Sequence, residues 1–167
     1  MVGAQPGGAG KTAVMCALLT MLPDGEKVHL TNRGSGWRNA AAGDCIVAYE
    51  ISPGTYDAYI WGEAVRRFAA LGHQGRRLVT NLHADTLGEA RQQLVGDNGV
   101  PEHHFNNFNI FLPISMSGGL LSRGRTIQHI EHVVDGQWQT LENNPPLEKR
   151  TLIIANFLDA CLDKGTR

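Results

Sequence analysis

Near the start of the chain, Pro6-Gly7-Gly8-Ala9-Gly10-Lys11-Thr12 has the residue types and spacing that hold phosphate. Closely spaced glycines let successive backbone N–H groups turn inward around phosphate oxygens, and a helix starting directly afterwards aims its positive end at the same point. Lys11 adds a compact cation, Thr12 supplies a hydroxyl of the kind that ligates Mg²⁺, and Ala13 continues the first helical turn. Residues 6–13 are therefore the candidate phosphate-binding set, for ATP with Mg²⁺. The complete motif has a glycine five residues before the Gly of Gly-Lys-Thr, and here that position is Gln5.

Cleaving a phosphoanhydride also requires a carboxylate that orients and activates water, delivered from the end of a neighbouring strand. Glu50 closes the apolar run Cys45-Ile46-Val47-Ala48-Tyr49 and meets that requirement; with Thr12 it is also the candidate metal ligand. The plain alternative is a solvated residue terminating a strand. Glu63, after Tyr59-Ile60-Trp61-Gly62, is the rival carboxylate. The apolar spacing of Tyr56, Ile60, Ala64, Phe68 and Leu71 predicts a helix there, with Glu63 in its middle. His83 ends Thr80-Asn81-Leu82, where an imidazole can reach a terminal phosphate and report its presence, although a lone histidine is more often structural. Lys11, Glu50 and His83 thus form the candidate catalytic set.

The other histidines carry less. His103 and His104 are adjacent and point apart on a strand, and His129 and His132 fall on opposite faces of one, so metal binding through histidine is not expected. Trp37, Trp61 and Trp138 read as packing residues, because no basic stripe accompanies them.

The elements that would position these residues follow from pattern. Residues 11–22 are apolar on nearly every face, as in a helix packed centrally on a sheet, and Pro23-Asp24-Gly25 stops them. Strands are predicted over 27–32, 45–51 and 77–82, and a helix over 55–71 that Gly72 ends. Thr86-Leu87-Gly88-Glu89 has the form of a capping box opening a helix to about Val95. β-prone segments recur over 105–113 and 125–134, with Asp135-Gly136 as a hairpin turn into 137–141, all as antiparallel edge strands. An amphipathic helix closes the chain over 147–163. One α/β domain over 1–167 is expected, with a nucleotide-binding core over 1–104 and terminal β-strands over 105–142.

Composition narrows the partners. The 167 residues carry a formal net charge of −1 and 42% hydrophobic residues. No apolar run is long enough for a bilayer, and no basic segment reads as a nucleic-acid arm. Cys16, Cys45 and Cys161 are odd in number and widely spaced, which fits buried free thiols in the reducing cytoplasm. No charged segment followed by an apolar one precedes the glycines, and residues 1–4 alone are available for the strand before the loop, as in a trimmed or minimal domain.

Several stretches together resemble the secretion and pilus-assembly ATPases, or traffic ATPases, of type II and type IV systems. Asp44-Cys45-Ile46-Val47-Ala48-Tyr49-Glu50-Ile51 is similar to that family's Walker B strand. Ala70-Leu71-Gly72-His73-Gln74-Gly75 with Thr80-Asn81-Leu82-His83-Ala84-Asp85 resembles its Gly-His turn and histidine box. Arg123-Gly124-Arg125-Thr126-Ile127, Ile130-Glu131 and Val133-Val134-Asp135-Gly136 are similar to its terminal hairpin. The likeness spans residues 3–141. It implies a three-layer, RecA-like P-loop fold with a mainly parallel sheet and an antiparallel edge hairpin. It also implies a Mg²⁺-dependent ATPase working in a ring, a hexamer, at a membrane-embedded secretion or pilus machine. Lys11 and Thr12 would hold phosphates and Mg²⁺, Glu50 would activate water, and His83 would contact the γ-phosphate. The family's N-terminal domain and acidic Asp box are not visible, and Ser52 replaces its arginine after Glu-Ile, leaving Arg33 and Arg38 as candidates for arginines acting across subunits. Two other readings stand beside this one. A small P-loop kinase carries an arginine-bearing lid, which is not obvious here, although Arg66-Arg67 or Arg76-Arg77 could be misread as one, and a non-catalytic nucleotide switch would need no turnover.

Overall fold

In the computed structural model, residues 1–5, 7–31, 35–117, 124–127 and 129–142 are described. Strand β1 (Val2–Gly3) enters the glycine-rich loop and helix α1 (Lys11–Leu19) leaves it. The apolar run after Asp44 forms β3 (Cys45–Ala48), which follows the short β2 (Val28–Leu30). Two further short strands, β4 (Glu50–Ile51) and β5 (Tyr59–Ile60), precede α2 (Glu63–Ala70), a 3-10 turn over Leu71–Gln74, and β6 (Arg77–Leu82). Helix α3 (Leu87–Arg91) widens into a π-helical turn over Gln92–Asp97, and α4 (Glu102–Phe105) leads to β7 (Ile110–Pro113). The strands β8 (Ser115–Ser117), β9 (Gly124–Thr126), β10 (His129–Val134) and β11 (Gln137–Glu142) complete the described chain.

Seven strands form one sheet in the order β11-β10-β7-β1-β6-β3-β2. From β7 to β2 all neighbours are parallel, whereas β10 runs antiparallel to both β7 and β11. Side chains alternate between the two faces of the sheet. Ile46, Ala48, Leu82 and Phe111 meet Phe68, Leu94, Phe105 and Phe108 in one core, and Val2, Cys45, Val47 and Leu112 meet Ala9 and Met15 in another. Apolar cover on both faces is what a parallel sheet requires. The result is the expected three-layer α/β fold of RecA-like type, mainly parallel with an antiparallel edge hairpin. Burial holds the Cys45 thiol protonated, its pKa pushed up to about 11.

Several expected boundaries move, each for a local reason. The strand over 45–51 breaks at Tyr49, so Glu50 belongs to a separate ladder with Tyr59. The helix expected over 55–71 begins only at Glu63, because Gly62 takes φ 61°, ψ −122°, a backbone that side-chain-bearing residues avoid. Glu63 is therefore the first residue of α2, not its middle, and pairs with Arg67 one turn on at 3.7 Å. The helix from Lys11 ends at Leu19, and its outer flank, with Cys16, is exposed instead of buried. The strand expected from residue 105 starts at Ile110. His104 N and Phe105 N both donate to Pro101 O, winding His103 and His104 into a helical turn instead of a strand. Strand β7 is also interior, not an edge. The segment over 125–134 divides into β9 and β10, while Asp135 (φ 49°) and Gly136 (φ 77°) make the expected hairpin turn. Trp138 packs on Phe105 at 5.4 Å and donates from Nε1 to Asn106 Oδ1, as a packing residue would. Cys161 and the helix expected over 147–163 lie outside the described residues.

Two contacts constrain this arrangement, one toward its β2 edge and one at its centre. Asp44 accepts from Ala41 N and from His29 Nε2, both at 2.8 Å, and from Lys27 N at 3.3 Å, which clamps β2 to β3. The Ala41 N–H, then the His29 bond, hold this carboxyl below the usual aspartate range. Its contribution to stability is complete above the unfolded-state value, about 3.9, and is lost as pH falls through the lower folded value. Asp44→Asn should remove that acid limb from a urea midpoint measured against pH between 5 and 2; an unchanged profile would refute the assignment. At Gly3, a Cβ would be driven into Ala84 O and the Phe111 ring. Gly3→Ala should cost about 1–3 kcal/mol, the usual scale of overpacking, and a melting temperature equal to the parent's would contradict that packing.

Candidate functional site

Because β1, β6 and β3 are parallel neighbours, their C-terminal ends lie side by side. Gly3 pairs with Leu82 and Ala48 with Thr80, so the loop after Gly3, His83 and Glu50 emerge along one edge of the sheet. Ligands of open α/β sheets bind at this edge.

In the loop, Gly8 (φ 76°) and Gly10 (φ 94°) occupy the left-handed region that favours glycine. Gln5 does not: among described non-glycine residues only Asp135 has positive φ, so the backbone at Gln5 does not demand a glycine. Gln5 is tied in through its polar groups. Its N–H donates to Asp85 Oδ1 at 2.8 Å, and its Nε2 to Glu89 Oε2 at 3.5 Å. Glu89 also accepts from Asp85 N at 2.7 Å, while Thr86 Oγ1 caps Glu89 N at 3.2 Å. The capping box thus forms with its glutamate shifted by one residue, onto the Asp85 N–H that precedes the cap. Pro6 lies outside the described residues.

Lys11 is buried, and its Nζ donates to Ala4 O at 3.1 Å. None of the described ion pairs includes it, so a buried ammonium rests on a neutral carbonyl, and an arriving anion offers it a far stronger partner. Thr12, one position into the helix, donates from Oγ1 to the Tyr49 hydroxyl at 3.3 Å. Tyr49 belongs to a cluster with Tyr56 and Tyr59, with ring centroids 5.2–6.3 Å apart. The Glu50 carboxylate, then burial, raise the Tyr59 phenol, which keeps it a hydrogen-bond donor.

Glu50 is 9% exposed at its side chain and forms an ion pair with His83 Nε2. The other imidazole nitrogen, Nδ1, donates to Gln5 O at 3.2 Å. One ring therefore joins the phosphate loop to the buried carboxylate. Both of its partners are acceptors, so the set is satisfied by hydrogens on both ring nitrogens or by a proton on the carboxyl. Asn81 Nδ2 donates to Tyr49 O at 2.8 Å and fixes the break between β3 and β4, while Gln93 Nε2 from the π-helical turn donates to Ile51 O at 2.7 Å.

Sequence reasoning missed Arg125. It reaches from β9 across the loop, with Nη2 donating to Gly8 O at 3.0 Å and Cδ lying 3.3 Å from where a Cβ on Gly10 would stand. Nothing local marks it, since 117 residues separate it from Gly8. The rival Glu63 stands instead on the exposed surface with Arg67. Arg33 lies outside the described residues, and Arg38 lies in the connector before β3. Thr12 and Glu50 offer a hydroxyl and a carboxylate, the hard oxygen donors that Mg²⁺ takes.

No protein-family model matches the chain. No curated protein matches it either. Among solved structures, the chain is similar to the VirB11 ATPase of the Brucella suis type IV secretion system, solved in complex with sulphate. The identity is 18%, the TM-score is 0.44, and the match covers 78% of this chain and 47% of that one. The chain thus spans less than half the length of that structure's chain.

Removal of the buried ammonium tests the loop as an anion site. Lys11→Ala should weaken binding of a fluorescent nucleoside triphosphate by about 10- to 150-fold, the loss of one charge-assisted bond, while leaving the fold intact by circular dichroism. Equal affinity in the two proteins would remove the loop from consideration.

Proposed function

We propose that the chain binds ATP with Mg²⁺ at residues 6–13 and hydrolyses its terminal phosphoanhydride, as a motor-type ATPase domain resembling those of type II and type IV secretion and pilus systems. The observation that carries this reading is the His83 imidazole, held between the Gln5 carbonyl of the phosphate loop and the Glu50 carboxylate. A glycine-rich turn serving only as structure has no use for that link.

In the proposed reaction, Lys11 leaves Ala4 O for the β- and γ-phosphate oxygens, which the loop N–H groups also receive. Thr12 and Glu50 would hold Mg²⁺, which would supply neutralisation of the charge that develops on the phosphates. Glu50 orients a water for in-line attack on the γ-phosphorus and accepts its proton as the bond to the β–γ bridging oxygen breaks. To do this it must part from His83, which is then free to meet the γ-phosphate. Its ring stays bonded through Nδ1 to the loop, so the presence of the γ-phosphate is felt along the His83-to-Asp85 segment and α3. Arg125, already over the loop, adds positive charge from within the same chain.

The wider setting rests on the resemblance to traffic ATPases: a single domain acting as one subunit of a ring, a hexamer, in the cytoplasm and peripheral to a membrane machine. Among the described residues no helix is long and apolar enough to cross a membrane.

Glu50→Gln should retain nucleotide binding and lower steady-state phosphate release by about 100-fold or more, the scale of a positioned base. His83→Ala should likewise bind and fail to turn over. Phosphate release without any acceptor, followed by a coupled assay, separates hydrolysis from transfer. Unchanged turnover in Glu50→Gln would sink the catalytic assignment, and loss of binding in His83→Ala would make that residue structural.

A further inference from the structure

At the opposite edge of the sheet, three histidines meet. His73 lies in the 3-10 turn that precedes β6, and His103 and His104 lie in α4, ahead of β7. Their ring centroids are 4.3–5.5 Å apart, and one ligand nitrogen from each lies within 4.8 Å of the other two. The turns that carry them are fixed. Asn107 Nδ2 donates to Ala69 O at 2.9 Å, and Gly72 approaches Asn107 so closely that a Cβ would overlap its side chain. Phe105 and Phe108 anchor the same segment in the core, Phe108 against Phe68 at 5.8 Å.

We propose that His73, His103 and His104 form a site for a borderline divalent transition-metal ion, Zn²⁺ foremost, with water as fourth ligand. Two observations carry it. The three rings are gathered with one nitrogen of each within reach of a shared ion, an arrangement in which protonated imidazoles would repel one another. His104 Nδ1 is buried without a hydrogen-bond partner, an orphan that ligation through this nitrogen would account for. A tetrahedral ion with bonds of about 2.0–2.1 Å needs ligand nitrogens about 3.3 Å apart. His73 and His103 are exposed, so their side chains have room to rotate toward a shared ion. The site would fasten the end of α2 to α4, on the far side of the sheet from the phosphate loop. Zinc there is a clamp on the fold and takes no part in phosphate chemistry.

The test is titration of the metal-stripped full chain with Zn²⁺ and with Co²⁺, without nucleotide. One equivalent should bind with micromolar or tighter affinity, Co²⁺ should give the intense visible bands of a tetrahedral ion, and the melting temperature should rise with Zn²⁺. His73→Ala and His103→Ala, both at exposed positions and so compatible with folding, should each weaken binding by about 100-fold or more, beyond what loss of a supporting contact costs. Lys11→Ala should bind Zn²⁺ as the parent does. Absence of binding below 100 µM, on the order of the weakest useful affinity, overturns the proposal. So does binding that both histidine variants retain, since the ion then sits elsewhere, for example on Cys16.

Discussion

The parallel pairing of β1 with β6, and of β6 with β3, is the constraint on which the rest of the site depends. Three segments far apart in sequence, the glycine-rich loop, the turn at His83 and the ladder at Glu50, reach one edge because their strands share a direction and a register. The approach is close enough that Gly3 has no room for a side chain against Ala84 and Phe111. Slipping any of these strands by one residue would exchange its faces, moving Leu82 or Ile46 into the opposite core and removing His83 or Glu50 from the loop.

Around that edge the polar groups form one connected chain. Gln5 is held by Asp85, Asp85 by Glu89, Glu89 by Thr86, and the Gln5 carbonyl by His83, which ends on Glu50. Lys11 is parked on a carbonyl and Thr12 on a phenol. These are partners of modest strength, and a triphosphate offers better ones. The arrangement is pre-formed yet exchangeable, as the proposed cycle of nucleotide binding, cleavage and release would require.

What was legible in the sequence is what is local. The glycine-rich loop before α1 is contiguous, Glu50 closes a continuous apolar run, and Asp135-Gly136 is a turn by its own backbone preferences. The strand order, which inserts β6 between β1 and β3, is invisible to any window of residues, as is Arg125 over Gly8. Periodicity misled in two places. Tyr56 and Ile60 fall at helical spacing from Phe68, yet belong to a turn and a strand because Gly62 breaks the chain's direction between them. His103 and His104 adjoin β-prone residues, but Pro101 begins a helical turn that gathers the rings a strand would have separated. In both cases one residue of special backbone character outweighed the side-chain pattern around it.

The sheet ends on β2, a strand of three residues whose Val28 and Leu30 are 49% and 58% exposed, with Met21 nearby in sequence at 65%. Its outer backbone groups have no partner strand among the described residues. The brevity of β2 limits what this edge can recruit, because so few ladder bonds cannot offset the entropy of associating a further strand.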